Sequence, residues 1–154
     1  MTPILRHPAR RGKNLSMSAI CCYRPDGSEA RLAFGLRGGA YDAPSLVRQL
    51  DLLSSVLGGE PAIVIWDNLN VHKSHAMRAF VAAQAWLEVA WLPPYAPQLN
   101  PAEGLWANLK SQELANHACR STKELAATAQ VGSFRVRRDQ QLLLGFLHQT
   151  PLRL

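Results

Sequence analysis

The sequence predicts an α/β domain, and three observations carry that reading. Its 154 residues suffice for one substantial core. Strand-like and helix-like stretches alternate in the order hairpin, helix, strand, helix, strand, helix, helix. The run from Ala62 to Trp66 is short, continuous and β-branched, the pattern of a strand buried on both faces.

Residues 1–13 carry Arg6, Arg10, Arg11 and Lys13 and are broken by Pro3 and Pro8, so they read as a basic N-terminal tail. The domain proper is expected over residues 14–154. Leu15 to Tyr23 reads as a strand, Pro25-Asp26-Gly27 as a turn, and Arg31 to Leu36 as the returning strand of a hairpin that Gly38-Gly39 ends. Asp42 or Ala43 can cap a helix with Pro44 in its first turn and Leu46, Leu50 and Leu53 on its apolar stripe; Gly58-Gly59 stops it. After the strand ending at Trp66, Ser74 can cap a helix through about Ala85 with Met77, Phe80 and Val81 inward. Leu87 to Leu92 is then a second buried strand.

Pro93 to Pro101 holds four prolines in nine residues and forms a stiff loop. Asn100 as N-cap and Pro101 in the first turn start a helix bearing Leu105, Trp106 and Leu109. Ser121 and Glu124 make a capping box for the next helix, whose far end Gly132 weakens, and a last helix runs around Gln140 to Leu147.

The 17 basic and 11 acidic residues leave a net charge of +6 and a pI near 9.7, which favours a polyanionic partner, nucleic acid first. An apolar fraction of 47% excludes a disordered chain. The apolar runs fall well short of the ~20 residues that cross a bilayer, and residues 1–13 hold no secretory-type stretch. No membrane association and a cytoplasmic location are therefore expected. Three cysteines, with Cys21 and Cys22 adjacent, make no disulfide framework and read as small apolar packing residues. A zinc site from His117, Cys119, His72 or His75 would match no structural zinc spacing.

Two acids carry the chemistry. Asp67 lies at the carboxyl end of a buried strand, where α/β sheets hold their ligands. Glu103 lies in the first turn of a helix, behind the proline-braced loop. Carboxylates converging from different elements suit a two-metal phosphoryl-transfer site, and Mg²⁺ needs only two or three of them beside its waters. The plainer reading stands beside this one: Asp67 begins a turn-prone Asp-Asn-Leu-Asn stretch, and Glu103 reaches back to the Asn100 amide. His72 either hydrogen-bonds within the site or orders its loop, and Asn100 reads as a helix cap before a ligand. Lys110 is placed to touch a DNA phosphate or to remain a solvated lysine. Arg135, Arg137 and Arg138 form a basic cluster that tracks a nucleic-acid backbone or is simply surface.

Two long blocks add a resemblance. Trp66-Asp67-Asn68-Leu69-Asn70-Val71-His72-Lys73-Ser74 and Leu92-Pro93-Pro94-Tyr95-Ala96-Pro97-Gln98-Leu99-Asn100-Pro101-Ala102-Glu103-Gly104-Leu105-Trp106-Ala107-Asn108-Leu109-Lys110 resemble the catalytic core of DDE transposases. The nearest likeness is to the bacterial insertion-sequence branch of the Tc/mariner superfamily, and it runs from Arg11-Gly12 to about Asn116. It implies a ribonuclease-H-like fold with a mixed sheet, Mg²⁺ or Mn²⁺ dependence, and DNA strand cleavage followed by strand transfer. The implied partners are the transposon ends and target DNA, with a homodimer or pairing with an intact transposase, and a bacterial, nucleoid-associated location when bound to DNA. Asp67 matches the family's second acid and Glu103 its third.

Relatives of this kind carry a helix-turn-helix region and then a strand bearing the first acid, the central strand in the order third, second, first, fourth, fifth. The resemblance begins one element later, so that strand is expected to be missing or replaced and the acidic triad incomplete. Ile4-Leu5 is a poor substitute strand. Asp26, Asp42 and Asp51 do not supply the missing acid; an edge three strands from Asp67 lies about 14 Å away. The expected function is thus metal-dependent DNA cleavage and transfer by an incomplete catalytic domain. The alternative is a catalytically inactive remnant that binds DNA or pairs with an intact transposase.

Overall fold

A computed structural model describes residues 4–5, 14–115 and 119–152. The basic tail expected over residues 1–13 lies outside these residues apart from Ile4 and Leu5, as does His117. The chain divides into two compact units: one spans Tyr41–Ala96, and the other joins the segment ending at Ala40 to the segment starting at Pro97.

The discontinuous unit is built on an antiparallel hairpin. Strands β2 (Leu15–Tyr23) and β3 (Ala30–Gly38) pair along their full length, from Leu15 opposite Gly38 to Tyr23 opposite Ala30. The expected turn closes it: Gly27 takes a φ of 70°, and its N–H donates to Arg24 O at 2.9 Å. Strand β1 (Ile4–Leu5) pairs antiparallel with β2 on the edge away from β3, over two residues only.

Against this sheet pack α3 (Pro101–Leu109), α4 (Thr122–Arg137) and α5 (Gln140–His148). Each buries one helical stripe: Ala102, Leu105, Trp106 and Leu109 from α3, Ala129 and Val136 from α4, Leu143 and Phe146 from α5. They meet Met17, Ala30 and Leu32 of the hairpin in one core. Tyr23 donates its hydroxyl to Leu143 O at 3.0 Å, and the Gln140 amide both accepts from Ala30 N (2.8 Å) and donates to Ala30 O (2.6 Å). The Trp106 indole N–H is buried without a hydrogen-bond partner among the described residues.

Gly132 does not end α4, which continues to Arg137. It is a point of close approach instead: a Cβ there would lie 2.6 Å from Leu109 Cδ2 and 2.8 Å from the Glu113 carboxyl group. Beyond α3 the helix widens into a π turn over Lys110–Leu114, which carries Glu113 toward α4.

The continuous unit starts with α1 (Ala43–Val56). Asp42, not Ala43, is its cap: Asp42 Oδ1 accepts from Ser45 N and Ser45 Oγ accepts from Asp42 N, both at 2.9 Å. Leu46, Leu50 and Leu53 are buried as the stripe predicts, and Gly58 and Gly59 end the helix with φ of 66° and 78°. Strands β4 (Ala62–Trp66) and β5 (Leu87–Trp91) pair in parallel, with α2 (His75–Ala82) between them in the chain. Helix α2 stops three residues short of Ala85, where Gln84 N turns back to Val81 O and the chain descends to pair Ala62 N with Trp86 O.

The expectation that β4 is buried on both faces is corrected. Val64 is buried, while Ile63 and Ile65 on the opposite face are 64% and 42% exposed. A continuous apolar run cannot say which of its faces is covered. Here α1 and α2 pack on each other and α2 on β5, and no second layer of this unit covers the other face among the described residues.

The glycines give a direct test of the packing. Gly132→Ala is expected to lower the unfolding free energy by up to about 2 kcal/mol, because an overpacking cost of roughly 1–3 kcal/mol outweighs a helix-propensity gain of ~1 kcal/mol. Gly145→Ala, where an added Cβ meets nothing within 4 Å, is expected to raise it by up to ~1 kcal/mol. Urea denaturation of both variants beside the parent chain measures the difference.

Candidate active site

Asp67 follows β4 directly, and the ladder bond from Leu92 N to Trp66 O (2.8 Å) fixes the residue before it. Its side chain is 25% exposed. His72, 6% exposed, stands with Nδ1 2.8 Å from Asp67 Oδ1. An ionised carboxylate only accepts, so Nδ1 carries the hydrogen and donates it. The imidazole is held in turn by the Trp66 indole, with ring centroids 4.2 Å apart and planes 13° from parallel. Leu69 N–H approaches the same Asp67 oxygen at 3.3 Å. Asp67 therefore starts a turn and is aimed by His72 at once; His72 both bonds the acid and orders the loop.

Burial pushes the Asp67 carboxyl up. The His72 hydrogen bond draws it down, and the balance lies well below the usual carboxylate range. The acid is thus ionised at neutral pH.

Three neighbours complete this end of the sheet. Asn68 Nδ2 donates to Leu92 O at 2.5 Å, strapping the loop to the end of β5. The Lys73 ammonium lies 5.2 Å from the centroid of the exposed Trp91 ring. In the proline loop, Tyr95 takes a φ of 59°, in the left-handed region, a conformation that costs a bulky residue ~1 kcal/mol or more. None of these interactions was legible from the motifs. A stack between residues six apart and a strap across two loops follow no helix or strand period.

Glu103 belongs to the other unit. Asn100 caps α3, its Oδ1 accepting from Ala102 N at 3.1 Å. The Asn100 N–H donates to Pro97 O at 2.9 Å, which uses the donor that a reciprocal capping-box glutamate would bind. Glu103 stands half-buried in the first turn, where the helix dipole favours its charge. Lys110 is exposed at the end of α3, about 10 Å along the axis from Glu103.

The basic cluster is divided. Arg135 pairs with Glu113 (2.6 and 3.1 Å) and with Asn108 (2.5 Å). Arg137 lies over the Phe134 ring at 5.5 Å, and Arg138, exposed, caps α4. The π turn that brings Glu113 to Arg135 has no sequence signature.

Among the described residues, no three or more His, Cys, Asp or Glu gather where a metal could be held. The zinc alternative finds no support there, since His72 is bound to Asp67 and Cys119 is buried with Leu15 and Leu125. Asp67 and Glu103 do suit Mg²⁺ or Mn²⁺ in kind, as hard oxygen donors, one of them held ionised.

The chain matches the family model described as DDE superfamily endonuclease over residues 3–126. No curated protein matches it significantly. Among solved structures it is similar to the Mos1 transposase catalytic domain solved with raltegravir and Mn, at 19% identity and a TM-score of 0.72, covering 99% of this chain and 76% of that one. It is similar to the Mos1 mariner paired end complex with Mn at 22% identity and a TM-score of 0.69, covering 97% of this chain. It spans 44% of that protein's length. The Mos1 transposase paired-end complex with left transposon end gives 19% identity, a TM-score of 0.66, and coverage of 96% and 43%. These likenesses show the fold, the ribonuclease-H-like α/β arrangement of a DDE transposase catalytic domain.

The Asp67 pair makes its own stability test. His72→Ala removes a buried donor to a charged acceptor and is expected to cost about 1.5–3 kcal/mol. Asp67→Asn keeps an oxygen acceptor for both His72 and Leu69 and is expected to cost less. Denaturant midpoints of the two variants decide it.

Proposed function

Because the chain belongs to the DDE superfamily endonuclease family, we propose that it is part of a transposase catalytic domain acting on DNA phosphodiesters, with Asp67 and Glu103 as its metal-holding carboxylates. The observation that carries this reading is the pinned Asp67: ionised, rigid, and at the carboxyl end of a parallel strand inside the family match. A bound Mg²⁺ or Mn²⁺ would polarise the phosphodiester and lower the pKa of the attacking oxygen. His72 keeps Asp67 Oδ1 occupied and so sets which face the carboxylate presents. Asn100 acts as the cap that starts the Glu103 helix. In the transposase reading the nucleophile is water for cleavage and a freed 3′-hydroxyl for transfer.

The reading extends to the bacterial insertion-sequence branch of the family, to transposon-end and target DNA as substrates, to a homodimer or pairing with an intact transposase, and to nucleoid association. Efficient cutting requires a further carboxylate beside Asp67 and Glu103, and no group of three acids gathers among the described residues. The same observation favours a second reading, a DNA-binding or transposase-pairing module without chemistry.

Manganese binding followed by water-proton relaxation separates the two. Asp67→Asn and Glu103→Gln are each expected to weaken binding by at least about tenfold. Nicking of supercoiled plasmid by the chain alone is expected to be weak, metal-dependent and abolished by either substitution. Salt-sensitive DNA binding unchanged by Asp67→Asn, with no nicking and no manganese binding, selects the second reading.

The arginines give a separate measurement. Changing Arg137 and Arg138 together to alanine is expected to reduce the salt slope of DNA binding by about one for each phosphate that is no longer neutralised. Arg135→Ala is expected to leave the slope unchanged and lower stability by up to ~1 kcal/mol, because its charge is already engaged by Glu113.

A further inference from the structure

We infer that Tyr95 is a stacking platform for an unpaired or terminal nucleobase of the DNA strand handled at Asp67. This rests on the reading of the site as one that acts on DNA. Tyr95 is fully exposed, so its ring contributes nothing to packing, yet its backbone is held at a φ of 59°. A bulky residue rarely adopts that conformation. A strained backbone that displays an aromatic ring to solvent, with no return in burial, points to a role outside the fold.

Its position gives the role. Asn68, next to Asp67, is hydrogen-bonded to Leu92 O, and Tyr95 follows Leu92 by three residues. The chain reach from Leu92 is therefore at most about 11 Å, roughly the span of one to two nucleotides. Trp91, the ladder partner of Trp66, presents a second exposed ring beside the same loop, with the Lys73 ammonium over it. Aromatic rings interleaved with a cation fit a single nucleic-acid strand: the rings take base faces and the ammonium takes a phosphate. A base inside a duplex has both faces covered, so a lone ring can serve only a base at an end, a nick or a flipped position. A strand end is also what phosphodiester cleavage at Asp67 would create.

The test is anisotropy-monitored binding of the full 154-residue chain to labelled single-stranded and covalently closed circular duplex oligonucleotides, the latter without a terminal base. Tyr95→Ala is expected to weaken single-strand binding by about tenfold while duplex binding changes by less than about twofold; Tyr95→Phe stays within about twofold of the parent on both. Tyr95→Gly, which relieves the backbone, is expected to raise the unfolding midpoint while losing single-strand affinity as alanine does. Unchanged single-strand binding by Tyr95→Ala, or equal losses on both DNAs, overturns the inference and leaves the DNA reading intact. A parent chain that binds neither oligonucleotide overturns both.

Discussion

A carboxylate that is three-quarters covered must be satisfied by hydrogen bonds, and the carboxyl end of the β4–β5 sheet is arranged around that requirement at Asp67. His72 provides the donor, but a buried imidazole needs its own support, and the Trp66 indole supplies it by stacking. Trp66 is fixed by the ladder to β5, and Asn68 binds the loop to the same strand end. The acid is thus held through interactions that all return to two parallel strands. A carboxylate built this way keeps its direction without depending on loop stiffness.

The second acid is placed by a different device. Glu103 depends on where α3 starts, and that start is set by Asn100, Pro101 and the Pro97–Leu99 3₁₀ turn before them. The turns of α3 then bury Leu105, Trp106 and Leu109 against the hairpin, so core packing and the orientation of Glu103 share one rigid body. Gly104, beside the acid, lets the Phe146 ring come within 2.9 Å of where a Cβ would be. Core closeness at that point leaves little freedom for the first turn.

Local chemistry was legible in the sequence; tertiary use of it was not. The hairpin and its glycine turn, the caps at Ser74, Asn100 and Ser121, and the stop at Gly58-Gly59 are each decided within a few residues. Ser74, Asn100 and Ser121 could be read directly, whereas Asp42 and Ala43 are separable only through the Ser45 hydroxyl that closes the box. The exposed face of β4, the buried role of Gly132 and the capture of Arg135 depend on which neighbours arrive from elsewhere in the chain. For the site, both motif acids and His72 stood out by residue type. The Trp66 stack, the Asn68 strap and the left-handed Tyr95 carry no periodic signal and exist only in the folded chain.

The Gln140 amide has a wider meaning for the hairpin. With one N–H and one C=O set against Ala30, it reproduces the hydrogen-bonding face of a peptide group while belonging to a helix. The start of β3 is therefore already spoken for, and a foreign strand arriving at that margin finds neither donor nor acceptor there. A single side chain thus closes the edge of β3 at its first residue, so that pairing with a foreign strand could start only beyond Ala30.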